Sequence, residues 1–257
     1  RRIDDALFVP ELRERIARTY SFFIGRVVTI TLNGDRIEGE SFEIGSNHAN
    51  EKFRAGKVSC NITAGMAAVG AEDIFRNKNA GWFVFCNGRA VLFADKTELT
   101  GWNAGLPIFQ PKHRPFLGTV LFVSADAEAL PWTTTKASVN EESAVWQEAK
   151  RHMVTVGRGV IGFLDKRYTS EGTEVSPSEL RAASGDRVNV FAAAAATRKT
   201  FKPPTAPLSK TRKIQFDAEE KDIRKIESYL QKPGMGGSAV GRHTFDYFLK
   251  NVVGSDD

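Results

Sequence analysis

The apolar residues fall into two repeating patterns, one helical and one strand-like. In residues 11–24, Leu12, Ile16, Tyr20, Phe23 and Ile24 recur at helical spacing, and Gly25 ends the run. Val27-Val28-Thr29-Ile30-Thr31-Leu32 then reads as a strand, Asn33-Gly34 as a two-residue turn, and residues 36–44 as the returning strand. Residues 47–56 are polar and read as a loop. Residues 57–66 alternate again, with Val58, Cys60 and Ile62 on one face. A second hairpin is the clearest local signal: residues 81–86, the turn Asn87-Gly88-Arg89, and Ala90-Val91-Leu92-Phe93. Residues 116–124 predict a buried strand.

Residues 140–168 carry the longest helical pattern, with Val145, Ala149, Met153, Val156, Val160, Phe163 and Leu164 three or four apart. Asn140 can cap its start. Gly157, Gly159 and Gly162 weaken it by about 1 kcal/mol each relative to Ala, which predicts a bend or close packing. Residues 177–196 read as partly helical. Residues 198–213 hold six basic residues, three prolines and no acid, a linker composition. A short strand from 213, a helix over 218–230, a glycine-rich stretch at 234–241 and a helix over 244–253 follow. The predicted organisation is an α+β domain over 1–168, a helical segment and basic linker over 169–213, and a small strand-helix-helix region over 214–257.

The composition narrows the function classes. The chain has 257 residues, a net charge of +5 and only two cysteines, Cys60 and Cys86. That excludes a disulfide framework and a cysteine zinc site, and both cysteines read as small buried strand residues. No apolar run approaches the roughly 18 residues of a membrane span. The charged start Arg1-Arg2-Ile3-Asp4-Asp5 does not read as a signal peptide, so a cytoplasmic protein with no membrane partner is expected. The four histidines, His48, His113, His152 and His243, show no metal-ligand spacing, and no metal is expected. The stretch 234–241 lacks the Lys-Ser/Thr ending of a phosphate loop and reads as a connector.

Two segments remain as candidates for binding. Arg198, Lys199, Lys202, Lys210, Arg212 and Lys213 could meet nucleic-acid phosphates. They are interleaved with a single aromatic, Phe201, and a solvated linker is the competing reading. Leu130-Pro131-Trp132-Thr133-Thr134-Thr135-Lys136 runs from a buried strand through three hydroxyl residues to a lysine, just before the long helix. Such a loop can hold an ammonium at a domain edge, where a phosphoryl group is a natural target. Thr134 and Thr135 are expected to orient it through hydrogen bonds to the backbone. A plain polar loop is the competing reading.

The order of the Asn87-Gly88-Arg89 hairpin, the strand Phe116-Leu117-Gly118-Thr119-Val120-Leu121-Phe122, the Leu130-to-Lys136 loop and the long helix resembles the second, transducer domain of GHKL-type ATPases. That superfamily includes the gyrase ATPase subunit, MutL, the MORC proteins and a heat-shock chaperone. The chain looks most like MORC-like and MutL-like bacterial ATP-binding proteins, over roughly residues 10–168. The resemblance implies a ribosomal-protein-S5-domain-2-like fold, a mixed sheet with helices on one face. It implies that Lys136, with Thr134 and Thr135, contacts the γ-phosphate of an ATP held by a neighbouring domain. The family's nucleotide domain needs a helix with a catalytic Glu and a metal-holding Asn, an Asp-x-Gly-x-Gly turn and a Gly-rich lid. None of these occurs in order here. ATP and Mg are therefore expected only through an N-terminal nucleotide domain outside this chain, and this chain alone is expected not to hydrolyse ATP. Dimerisation and DNA association are further family expectations. The alternative is a basic module that binds nucleic acid or a protein and has no nucleotide role.

Overall fold

The computed structural model describes residues 8–68, 77–169, 177–203, 214 and 216–254. Helix α1 (Phe8–Thr19) precedes a small hairpin of β1 (Ile30–Leu32) and β2 (Asp35–Ile37). Asn33 and Gly34, both at positive φ, make its turn. The main sheet contains β4 (Ala49–Ala55), β5 (Val58–Met66), β6 (Gly81–Cys86), β7 (Arg89–Asp95) and β8 (Phe116–Val123). Their spatial order is β4-β5-β8-β6-β7. The pairs β4–β5 and β6–β7 are antiparallel hairpins. Between them β8 runs antiparallel to β5 and parallel to β6, so the sheet is mixed.

Alternation along the strands separates two cores. Val58, Cys60, Ile62, Ala64 and Met66 of β5 share one face with Trp82, Val84 and Cys86 of β6 and with Phe116, Val120 and Phe122 of β8. Helix α2 (Ala144–Thr169) covers that face with Trp146, Ala149, Met153, Val156, Val160 and Leu164. On the opposite face, Phe83, Phe85 and Leu117 pack with Phe42, Ile44, Val190 and Phe191. Gly118 is where the first core needs a missing side chain: a Cβ there would stand 2.3 Å from the Trp82 ring.

The expected helices on one face are therefore half of the arrangement. The second face is covered by β3 (Glu43–Gly45), its antiparallel partner β9 (Arg187–Asn189) and the short helix α4 (Val190–Ala195). The predicted single strand over 36–44 splits accordingly into β2 and β3. Helix α3 (Pro177–Ser184) leads into β9. These later elements belong with the first compact unit, residues 1–211, so its boundary lies well beyond the expected 168.

Three local readings also change. The loop expected over 47–56 is strand β4, whose polar residues suit a sheet edge. Helix α1 ends at Thr19, and Phe22 and Phe23 instead pack beside the β6–β7 turn, where a Cβ on Gly88 would meet their rings at 2.6 and 2.7 Å. Helix α2 begins at Ala144, after a turn in which the Asn140 carboxamide accepts from the Glu142 N–H. It runs through its three glycines as one helix. Gly157 brings it close to Trp82, whereas Gly162 faces open space.

The second unit, residues 212–257, contains α5 (Glu220–Tyr229), α6 (Gly237–Phe248) and a π-helical turn at Leu249–Val253. Its helix α6 begins inside the stretch read as a glycine-rich connector. Val240 is its one buried apolar side chain among the described residues. No helix of the described residues is long and apolar enough to cross a membrane.

Candidate functional site

The chain leaves β8 at the end of the sheet where the β6–β7 turn also lies. Asn87, at φ +47° in that turn, fixes the exit point. Its side-chain amide donates to the Ser124 carbonyl at 2.8 Å and its oxygen accepts from the Ser124 N–H at 2.9 Å. The pair extends the hydrogen bonding of the sheet by one further step. The Ser124 hydroxyl donates to the Lys57 carbonyl and accepts from the Asp126 N–H. Asp126 then receives the Glu128 N–H and pairs with Lys57 at 2.8 Å. The Lys57 ammonium, helped by the Glu128 N–H, holds the Asp126 carboxyl below its usual range.

From this anchored segment the chain enters a tight turn. Trp132 and Val139 pair as an antiparallel bridge, and the Asn140 N–H closes on the Pro131 carbonyl at 2.9 Å. Inside it, the Thr133 N–H donates to the Ser138 carbonyl at 3.0 Å and the Lys136 N–H to the Thr133 carbonyl at 2.8 Å. Lys136 takes φ +54°, an uncommon value for a residue with a Cβ. Thr134, Thr135 and Lys136 are exposed. The expected orienting role of Thr134 and Thr135 falls instead to Thr133. Its hydroxyl lies 3.4 Å from the Ser138 carbonyl and 3.2 Å from the Thr135 hydroxyl. Among the described residues Thr134 makes no side-chain hydrogen bond.

Lys136 forms no ion pair among the described residues. Its Nζ lies 4.6 Å from the Trp132 ring centroid. Trp132 in turn donates its indole N–H to the Ala127 carbonyl at 3.1 Å. The two segments singled out in the sequence, Asn87-Gly88-Arg89 and residues 130–136, are thus joined by a continuous set of contacts: Asn87 to Ser124, Ser124 to Asp126, and Trp132 back to Ala127. Arg89 points elsewhere, donating to the Tyr20 hydroxyl at 2.9 Å. Sequence reasoning places Asn87 and Trp132 within these motifs but gives neither a role. The Asn-Gly signal reports a turn, and the carboxamide's second use depends on where β8 ends.

The basic segment has a different setting. Lys199 pairs with Asn50 of β4 through two backbone hydrogen bonds, 2.7 and 3.2 Å. Asn47 clasps Lys202 with both carboxamide groups, at 2.8 and 3.1 Å. Phe201 is buried beside Phe163, with centroids 5.6 Å apart. Residues 199–202 therefore form a strap along the sheet edge, which corrects the linker reading for the described part. Arg198 pairs with Glu51 at 3.3 Å, and the Lys199 ammonium donates to the Ser46 carbonyl. The Lys202 ammonium has no such partner among the described residues. Lys210, Arg212 and Lys213 lie outside the described residues.

The other titratable groups serve the fold. His113 is fully buried, accepting from the Gln110 N–H at Nδ1 and meeting Asp165 at 2.9 Å through Nε2. Burial lowers its pKa against the pull of Asp165. Burial raises that of Asp165, but hydrogen bonds from Lys112 and His113 outweigh it and leave the carboxyl below its ordinary value. His152 bridges Glu51 of β4 and Glu148 of α2, at 3.3 and 3.1 Å, and stacks on Phe53. Burial pushes the Cys86 thiol to about 12 and raises Cys60 as well, so neither is a nucleophile at neutral pH. Among the described residues no group of three or more His, Cys, Asp or Glu is placed to hold a metal ion. A cleft of about 580 Å³ lies between Ala67–Ala68 and residues 181–187, with Arg187 at its rim already paired to Glu43.

No protein-family model matches this chain, and no curated protein matches it.

Proposed function

We propose that this chain is the non-catalytic, phosphate-sensing half of a cytoplasmic GHKL-type ATPase, with an S5-like transducer domain built on the five-stranded sheet. Lys136 is its contact to the γ-phosphate of an ATP bound, with Mg, by an N-terminal nucleotide domain. The observation that carries the reading is the setting of Lys136. It sits exposed on a hydrogen-bonded turn at one end of the mixed sheet, with no carboxylate beside it among the described residues. A compact ammonium held so can meet a terminal phosphoryl group without first breaking an ion pair. Dimerisation and the handling of DNA or a protein client are what the domain relays in this reading. The alternative, a basic module using residues 198–213, is less well supported. Its one aromatic, Phe201, is buried against Phe163 and offers no stacking face, and Arg198 and Lys199 already have partners in Glu51 and a carbonyl.

The test is ATP hydrolysis by the protein that includes the nucleotide domain. Lys136→Ala lowers turnover about 100-fold or more, the usual cost of removing one positioned charge from a developing anion. Lys136→Arg restores part of it, because a planar fork does not replace a point charge. This chain alone with Mg and ATP releases no phosphate above background. Undiminished hydrolysis by Lys136→Ala sinks the proposal.

A further inference from the structure

We infer that Trp132 is the positioning residue for Lys136, holding its ammonium over the indole face until a phosphoryl group takes it. This rests on the phosphate-sensing reading of Lys136 and adds the group that aims it.

Three observations converge on the indole. The Lys136 Nζ stands 4.6 Å from the ring centroid, within the roughly 6 Å over which a cation is drawn to an aromatic face. The residue is held at two points, its indole N–H donating to the Ala127 carbonyl and its backbone bridged to Val139. Its exposure also sets it apart from the other tryptophans. Trp82, Trp102 and Trp146 are fully buried in the first core, whereas Trp132 is half-buried at its margin.

The chemistry suits a waiting cation. A carboxylate beside Lys136 would hold the ammonium more tightly, but it would also compete with the phosphate and repel it. An aromatic face attracts the cation without neutralising it. A four-carbon side chain otherwise samples many rotamers, and restricting it beforehand lowers the cost of ordering it on the ligand. The left-handed backbone of Lys136 points to the same end, since the turn brings the lysine back over the residue four positions earlier. The anchor continues through Ala127 and Asp126 to Ser124 and Asn87, so the platform is referenced to the sheet rather than to the loop alone.

Two measurements test it. The first uses this chain, labelled with ¹³C-lysine, and follows the Lys136 ε-methylene resonance, assigned through Lys136→Arg. Wild type shows an upfield ring-current shift. Trp132→Leu removes it, and Trp132→Phe, which keeps an aromatic face, retains part of it. An unshifted resonance in wild type overturns the proposal, whatever the variants do. The second uses the protein that includes the nucleotide domain. Trp132→Leu lowers kcat for ATP about 2- to 10-fold, the cost of ordering one long side chain only at the moment it meets the phosphate, with KM for ATP unchanged. Trp132→Phe recovers most of the loss, and in a Lys136→Ala background Trp132→Leu has no further effect. If Lys136→Ala impairs hydrolysis while Trp132→Leu does not, the platform fails and phosphate sensing stands. If Lys136→Ala leaves hydrolysis intact, phosphate sensing fails and the inferred role of Trp132 fails with it, even where the shift shows the lysine on the ring.

Discussion

Two basic segments of similar promise in the sequence end up in opposite circumstances. The strap around Lys199 is laid along β4 by backbone pairing, clasped by Asn47 and nailed down by Phe201. Its cations at 198 and 199 have partners on the protein, Glu51 and the Ser46 carbonyl. The turn around Lys136 is as well ordered through its backbone, yet among the described residues its ammonium lies over an aromatic face and forms no ion pair. The difference teaches that a lysine's availability is decided by the groups its backbone places nearby. A run of positive charge in sequence is silent on that point. The two segments even share a device, because Asn47 and Asn87 each use both ends of a carboxamide to pin a distant backbone. In one case the pinned residue is in the strap itself, and in the other it precedes the exposed turn.

The largest effect expected from breaking this contrast is at Phe201. Its side chain is 9% exposed and packs against Phe163 and the first core. Phe201→Ala is expected to lower unfolding stability by about 3 kcal/mol, the low end for a buried Phe. It should also loosen residues 198–203, so that trypsin cuts after Arg198 and Lys199 faster than in wild type, Lys202 being shielded by the proline that follows it. Urea unfolding and limited proteolysis read the two effects. Equal cleavage in both proteins would return the segment to a linker.

A middle-sized effect is expected at Asn87, where two contributions can be separated. Asn87→Gly keeps the left-handed backbone and removes the clasp on Ser124, a loss of about 1 kcal/mol for hydrogen bonds of this kind. Asn87→Ala adds about 1 kcal/mol more, because a Cβ is disfavoured at φ +47°. Urea midpoints with an unchanged slope measure both. Equal midpoints for Asn87→Gly and wild type would mean that the clasp contributes nothing and that the turn alone orders Ser124.

What the sequence reveals follows the reach of each interaction. The turns at Asn33-Gly34 and Asn87-Gly88 and strand β8 are each written in adjacent residues and form where expected, whereas the strands beside the first turn are shorter than expected and the long helix starts four residues later. Strand β4 escapes a local reading because Asn50-Glu51-Lys52-Phe53-Arg54 has the composition of a loop, and only its place at an edge makes it a strand. The pairing of β3 with β9 joins residues about 140 positions apart, and no local pattern announces it. The candidate site divides the same way. Thr133 to Lys136 stand out as a motif, while Asn87 and Trp132 act through contacts that exist only once β8 and the turn are in place.

The smallest expected effects compare the two cations directly. Arg198 is 77% exposed where it meets Glu51, so the pair contributes about 0.2–1 kcal/mol at most. Arg198→Gln should lower stability by that amount in dilute salt. The difference should vanish near 1 M salt, where the screening length is only about 3 Å. Lys136→Ala should change stability by less than about 0.5 kcal/mol, as a surface change away from packing does. That small change should be the same at both salt concentrations, because Lys136 has no carboxylate to lose among the described residues and attraction to a ring face is not an ion pair. Urea midpoints of wild type and both variants in about 0.05 M and 1 M salt give the full comparison. A salt-sensitive loss at Lys136 would reveal an anionic partner on the protein itself. The lysine would then be held as Arg198 is held, and it would no longer be free to meet a phosphate.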